Sequence, residues 1–324
     1  MCTAITYQTK DFYFGRNLDL EYGYNEVVTL TPRNYPFHFR NGTTLDAHYA
    51  LIGMTAQCSI FPLYYEATNE KGLSIAGLSF PGLAVYYPQV SHKKNIAPFE
   101  LIPWVLGQCA TLEEALIAIQ DVNLWDQPFN SAFPLTPLHW IVSDSSGSVT
   151  LEPLSDGLRI HGNPVGVLTN SPTFDYHMYH LADYLNLTAQ PPVSRFSPQI
   201  TLKPYSLGMG SIGLPGDMSS GSRFVRAAFT KLNSNANATE SESVSQFFHI
   251  LASVAQPNGL TCVGDGKYEI TRYSSCCNVT QGIYYYTTYE NSQITAINMH
   301  HEDLDAATLM TFPQINKQQI NYQN

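Results

Sequence analysis

Basic clusters are missing from this sequence. Lys and Arg number 16 against 26 Asp and Glu, which leaves a net charge of −10. A chain this acidic, with no Lys/Arg-rich run, does not suit a phosphate backbone, so nucleic acid is excluded as a partner. Long apolar runs are missing too. None approaches the roughly 18 residues that a membrane helix needs, so no membrane role is expected. The N-terminus, Met1-Cys2-Thr3-Ala4-Ile5-Thr6-Tyr7-Gln8, has no basic stretch followed by an apolar one. It therefore does not read as a secretory signal, Cys2 is no lipid anchor, and a cytoplasmic location is expected. Cysteine is sparse: Cys2, Cys58, Cys109, Cys262, Cys276 and Cys277, with no C-x-x-C pair. Free thiols are expected. Apart from Cys2, buried structural thiols are the plain expectation, and adjacent Cys276 and Cys277 would point to opposite faces of a strand.

What the chain does have is core. Of its 324 residues, 44% are hydrophobic and 12% aromatic, ample for a folded interior. Length alone allows two domains or one large layered one, and no repeat of 20–50 residues is visible. Residues 3–7 and 12–16 flank the polar Thr9-Lys10-Asp11, which predicts a hairpin. Further β-rich runs lie at 27–31, 49–54 and 73–78. A helical section is expected from Thr111, where Thr111-Leu112-Glu113-Glu114 reads as a capping box. Leu112, Ala115, Leu116 and Ile119 then mark its apolar face. Strands are expected again at 138–142, 149–151, 158–160 and 165–168, helices at 222–232 and 244–254, and strands at 282–287 and 293–299. The polar stretch 233–243 reads as a surface loop between the two helices. Strands and helices come in blocks rather than alternating, so the fold class is α+β with segregated layers.

Position 2 carries the chemical signal. A small residue after Met1 permits removal of the initiator Met, and Cys2 would then hold a free α-amine beside its own thiol. The ordinary pKa values of these groups are about 7.7–8.0 and about 8.5. Near neutral pH one group can hold the other's proton, so nucleophile and base would come from a single residue. Gly15-Arg16-Asn17-Leu18-Asp19 follows the second hairpin strand, which would return Arg16 and Asp19 toward the N-terminus. A carboxylate orients an ammonium, and a guanidinium favours a thiolate. A surface turn holding an Arg–Asp pair is the plainer alternative.

Several longer motifs belong together: Met1-Cys2-Thr3-Ala4-Ile5-Thr6, Phe14-Gly15-Arg16-Asn17-Leu18-Asp19, Asn69-Glu70-Lys71-Gly72-Leu73, Gly166-Val167-Leu168-Thr169-Asn170-Ser171-Pro172, Gly213-Leu214-Pro215-Gly216-Asp217 and Ser222-Arg223-Phe224-Val225. With them the chain resembles the choloylglycine hydrolase family, the conjugated bile salt hydrolases and penicillin V acylases of the Ntn-hydrolase superfamily. The likeness runs end to end, through Tyr284-Tyr285-Tyr286-Thr287-Thr288-Tyr289 and Ile320-Asn321-Tyr322, and leans toward the bile salt hydrolases of lactic acid bacteria.

This resemblance implies a four-layer αββα sandwich, two antiparallel sheets between helical layers, as a single domain over 1–324. It implies a homotetramer, no metal and no organic cofactor. It makes Cys2 the nucleophile, places Arg16 beside the thiol, and gives Asp19 the α-amine. Asn170 becomes the side-chain donor of the oxyanion hole, Arg223 the second active-site arginine, and Ser79 a backbone N–H donor to the oxyanion. It implies an acyl pocket lined by Leu18, Leu20, Tyr24, Cys58, Ile60, Phe61, Phe129, Phe133 and Leu135. The reaction expected is hydrolysis of glycine- or taurine-conjugated bile salts, with penicillin V as the alternative substrate.

Two positions depart from the family pattern. Ser79 stands where bile salt hydrolases usually carry Asn and penicillin V acylases often Tyr. Leu207 stands where close relatives often carry Arg, in a loop associated with choosing the conjugate. Leu207 cannot pair with an acid group, so no conjugate preference follows. Bulky Phe129 and Phe133 would narrow the cleft and suit a flatter phenoxyacetyl group.

Other patterns carry less. His177-x-x-His180 beside Asp175, and His300-His301-Glu302, lack the two-ligands-plus-base logic of H-E-x-x-H and read as polar surface or helix ends. Gly208-Met209-Gly210-Ser211-Ile212-Gly213 fits G-x-G-x-x-G but links no clear strand to a helix, so a flexible substrate-side loop is expected. The tyrosine runs at 64–65, 86–87 and 284–286 would otherwise suggest a carbohydrate-binding surface.

Overall fold

The computed structural model describes residues 1–58, 61–235 and 239–324. Strands β1 (Cys2–Gln8) and β2 (Phe12–Leu20) form the expected hairpin. They are followed by β3 (Val27–Thr31), β4 (Leu51–Ala56), β5 (Leu63–Asn69) and β6 (Ser74–Ser79). Helices α1 (Leu101–Gln108) and α2 (Leu112–Ile119) come next. Then come β7 (Leu138–Asp144), β8 (Gly147–Leu154), β9 (Gly157–Gly162) and β10 (Val167–Leu168). Helices α3 (Phe174–His180), α4 (Ser220–Asn233) and α5 (Glu240–Ala252) follow. The last strands are β11 (Thr261–Gly264), β12 (Lys267–Asn278), β13 (Ile283–Thr288), β14 (Thr295–Asn298) and β15 (Met310–Pro313).

Two large sheets result. One runs β10-β1-β2-β12-β13-β14, with β11 also paired to β12; the other runs β9-β8-β7-β6-β5-β4-β3-β15. All of these pairings are antiparallel. β1 and β2 lie against β6, so the sheets face each other. α4 and α5 cover the first sheet; α1 and α2 cover the second. The four-layer αββα order is the one the resemblance implies.

A sheet covered on both faces must be apolar or well paired on both. β2 shows how this is met. Phe12 to Asp19 are all buried. Alternation sends Arg16 and Leu18 toward the facing sheet, where Arg16 Nη1 donates to Gly77 O of β6 at 2.5 Å. It sends Asn17 toward the helices, where its amide donates to Leu251 O of α5 at 2.9 Å. Phe224, Phe247, Ile250 and Leu251 fill the helix side with no exposed surface. Each such side chain contributes about 1.5–3 kcal/mol by leaving water. Gly15 is required by contact: a Cβ there would stand 2.0 Å from Ser275 O of β12.

Several elements differ from expectation. The helical section starts at Leu101, ten residues before Thr111, because α1 buries every residue but Gln108 and shows no polar face. Thr111 Oγ1 does accept from Glu114 N at 3.2 Å, but Glu114 turns its carboxylate to Ala110 N, so the cap is one-armed. The loop expected at 233–243 is shorter, since α4 runs through Asn233 and Thr239 caps α5 at Glu240. The expected thiol burial holds for Cys109, Cys276 and Cys277; Cys58 is half-buried and Cys262 is exposed on short β11. All six cysteines are free.

Candidate active site

Cys2 heads β1, buried, opposite Leu18 of β2. Its backbone N–H donates to Asn170 Oδ1 at 2.9 Å, and its carbonyl accepts from Arg223 Nη1. The chain here carries Met1, whose ammonium donates to Asp19 O at 2.8 Å and pairs with Glu269. Residues 2, 170 and 223 thus meet at one point from three distant parts of the sequence.

Asn170 follows β10 and has all its amide atoms placed. Oδ1 accepts from Cys2 N and from Arg223 Nη2, the latter at 2.7 Å; Nδ2 donates to Ser79 O at 2.7 Å. Two donors on the oxygen leave no choice of flip. One Nδ2 hydrogen serves Ser79, and the other is available to a ligand. The Asn170 backbone is also held: its carbonyl accepts from Ser220 Oγ at 2.9 Å and from His177 Nε2 at 2.8 Å. His177 lies in the last turn of α3, a helix end as the sequence suggests, but it is not at the surface. It is fully buried and stacked on Phe224, and burial holds its pKa down at about 4.

Two buried guanidiniums flank Cys2. Arg223, on α4, also donates to Thr3 Oγ1 at 2.8 Å and to Met218 O at 3.0 Å. Burial lowers its pKa, opposed by Asp19, Cys2 and Glu269. Arg16 donates to Tyr65 O and Gly77 O, and its Nε lies 3.9 Å from Glu66 Oε2. Burial opposes its charge, but Cys2, Tyr273, Glu66 and Asp19 together raise its pKa above the usual value. Glu66 in turn accepts from Tyr273 and Tyr284 hydroxyls at 2.6 and 2.5 Å. Asp19 is buried on the helix side of β2 and accepts from Thr271 Oγ1 at 2.6 Å. Burial raises its pKa, offset by Arg223, the N-terminal ammonium and that hydrogen bond.

Cys2, Arg16 and Ser79 open onto a cavity of about 370 Å³ whose walls are mostly apolar. Of the residues expected to line an acyl pocket, Leu18, Leu20, Tyr24, Phe129, Phe133 and Leu135 do so. Phe61 lies behind them, its ring 6.3 Å from that of Phe129. Cys58 does not reach the lining. Leu207 stands 96% exposed on an outer loop rather than at the cavity. Ile60 lies outside the described residues. Arg40 holds the Phe129 wall, donating to Phe129 O at 2.6 Å with its guanidinium 5.7 Å from the ring centre. The cavity also meets Tyr65 and Trp140, whose Oη and Nε1, like Arg16 Nη2, are buried with no hydrogen-bond partner among the described residues.

Sequence reasoning passed over Glu66, Tyr273, Thr271, Glu269 and Trp140. The tyrosine runs carried an unused hint, since Tyr64, Tyr65 and Tyr284 turn inward to the cavity or to Glu66 rather than out to a surface. The 208–213 glycine motif forms a single 3-10 turn, Met209–Ser211, around buried Gly210, with no strand before it. Among the described residues no group of three or more His, Cys, Asp or Glu is arranged to hold a metal ion.

A cysteine at the head of a central strand in an αββα sandwich is the arrangement of the N-terminal-nucleophile hydrolases. More narrowly, residues 2–312 match the family described as linear amide C–N hydrolases, choloylglycine hydrolase family, and the chain belongs to it. It is 56% identical over 313 residues to a bile salt hydrolase/transferase of Lactiplantibacillus plantarum, covering 97% of each chain. The C2A variant of the conjugated bile acid hydrolase from Clostridium perfringens superimposes with a TM-score of 0.93 at 36% identity, over 100% of each chain. The penicillin V acylase of Agrobacterium tumefaciens shares the fold, with a TM-score of 0.73 at 21% identity over 96% of this chain and 91% of that one.

Proposed function

We propose that this chain hydrolyses the amide bond of glycine- or taurine-conjugated bile salts, with Cys2 as nucleophile once Met1 is removed. The convergence of Cys2, Asn170 and Arg223 at the mouth of an apolar cavity carries this reading. The 56% identity to a bile salt hydrolase/transferase supports the substrate class.

The steroid face would lie against Leu18, Leu20, Phe129 and Phe133, with its amide over Cys2. The thiolate, favoured by Arg16, attacks the carbonyl carbon, and the C=O electrons move onto oxygen. Asn170 Nδ2 and the Ser79 N–H donate to that oxyanion, a contribution of about 3–4 kcal/mol per donor. The Cys2 α-ammonium, held near Asp19, gives its proton to the leaving nitrogen, which departs as glycine or taurine. Water then attacks the thioester, the α-amine takes its proton, and the thiolate leaves. Arg223 holds Asn170 in the donating orientation. The reading needs no cofactor, and the whole chain acts as one catalytic unit.

Penicillin V is the second reading, since the bulky Phe129 and Phe133 rings in the cavity wall suit a flatter phenoxyacetyl group. A homotetramer is part of the proposal. Leu185, Phe196, Tyr205 and Leu207, which are 76%, 81%, 85% and 96% exposed, are candidates for its contacts. A cytoplasmic site of action completes it.

The test is amine release from glycocholate, taurocholate and penicillin V under matched conditions, with Cys2→Ala as blank. Intact mass reports the state of Met1. Fastest release from a bile salt, lost in Cys2→Ala and absent while Met1 is retained, is the expected result. Full activity in Cys2→Ala ends the mechanism. Faster penicillin V cleavage moves the chain to the acylase branch.

A further inference from the structure

Beneath the site lies a buried polar pair that the mechanism does not use. Trp140 of β7 pairs with Leu151 of β8, so His139 and Glu152 stand side by side on these strands, both fully buried. His139 Nε2 lies 3.0 Å from Thr169 O. A carbonyl only accepts, so Nε2 carries the hydrogen. His139 Nδ1 faces Glu152 Oε1 at 3.4 Å, and that oxygen also accepts from Phe174 N at 2.8 Å. The imidazole stacks on Phe80, with ring centres 4.2 Å apart and planes 11° from parallel.

The two contacts of this ring fall at telling places. Thr169 is the residue before Asn170, and Phe80 is the residue after Ser79. One imidazole thus touches both halves of the oxyanion hole, each at one residue's remove. Glu152 fixes the ring through Nδ1. Beyond it, His161 lies 3.4 Å from Glu152 Oε2 and 3.1 Å from exposed Asp175.

We propose that His139, oriented by Glu152, is a positioning residue that sets the spacing between Asn170 and Ser79. The inference rests on the oxyanion role given to those two residues above. Stability alone is a poor account of the pair, because well-packed apolar residues commonly serve a core as well as buried polar pairs do. Only a donor can hold Thr169 O. Without it the Thr169–Asn170 peptide shifts, and a displacement of about 1 Å at a catalytic group costs on the order of 100-fold in rate.

The experiment compares His139→Phe, which keeps a ring against Phe80 but loses the donor, with His139→Gln, which keeps an N–H. Turnover is measured on whichever of the three substrates above reacts fastest. The Kd of that substrate is measured by calorimetry in the Cys2→Ala background. His139→Phe is expected to lower kcat at least ten-fold with Kd changed less than two-fold, and His139→Gln to recover at least three-fold of that loss. Parental kcat in His139→Phe, or a Kd weakened by the same factor as kcat/KM, overturns the proposal. If His139→Phe does not fold, Glu152→Leu, which removes the partner of Nδ1, decides: kcat at least three-fold lower with unchanged Kd supports it, and unchanged kcat overturns it. Asn170→Ala separates the two levels. A slow Asn170→Ala beside a fully active His139→Phe sinks this inference alone, whereas a fully active Asn170→Ala sinks the oxyanion reading beneath it.

Discussion

Arg223 donates to the side-chain oxygen of Asn170 at 2.7 Å and so decides which way that amide points. The oxygen is turned to the guanidinium and the nitrogen to Ser79. Arg223→Leu would leave Oδ1 with one donor and free the amide to reorient. A fall in kcat of about 100-fold is expected, comparable to the loss of an oxyanion donor. The check is amine release together with substrate Kd in a Cys2→Ala background. Near-parental turnover would remove Arg223 from the positioning of Asn170.

Asp19 is the buried carboxylate on the helix side of the hairpin that bears Cys2. An adjacent opposite charge favours the charged form of an amine. Asp19→Asn therefore lowers the pKa of the processed α-amine and moves the pH–rate profile to lower pH. With the proton carrier mistuned, kcat should fall about ten-fold or more. An unshifted profile would assign the amine another partner.

His177 gives the fold a pH signature. Burial depresses its pKa from the ordinary 6.5 to about 4, so the folded chain favours the neutral ring. As pH falls the unfolded chain takes up the proton first. The contribution is whole above about 6.5, erodes between 6.5 and 4, and is gone below, on the order of 3 kcal/mol in total. His177→Gln keeps a donor for Asn170 O but does not titrate. Its Tm should fall less than the parent's over that window, and parallel Tm curves would contradict the burial argument.

Phe133 lines the cavity, its ring 5.4 Å from that of Tyr24. Phe133→Ala removes partly buried aromatic surface worth roughly 1–2 kcal/mol of substrate contact. KM for the preferred substrate should rise about ten-fold with kcat within three-fold. A change confined to kcat would show that the ring acts on the reacting bond instead.

The site was legible where chemistry needs a particular side chain in a short motif. Cys2, Arg16 and Asp19 sit in one hairpin, and their proximity follows from its register. The rest depended on distance along the chain. β12 escaped notice although it lies next to that hairpin, because Lys267–Asn278 mixes charged, hydroxyl and thiol side chains with little aliphatic character. Its Thr271 and Tyr273 touch Asp19 and Glu66 only after the sheets assemble. β5 was obscured in the same way by Glu66, a carboxylate whose burial is sustained by partners more than 200 residues away. His139 looked like an ordinary strand residue and Glu152 fell just past the strand expected at 149–151; a strand's period says which face a residue takes but not what waits there.

The order of the first sheet also sets a timetable. β2 pairs with β12, so the hairpin that bears Cys2 keeps one open edge until residues 267–278 have been synthesised. Glu269, which holds the Met1 ammonium, arrives with that same strand. During most of translation the N-terminus is therefore unclasped and open to an aminopeptidase. The Met1 removal proposed above is therefore easiest on the growing chain, and closure of the sheet, which brings Glu269 to the Met1 ammonium, works against it.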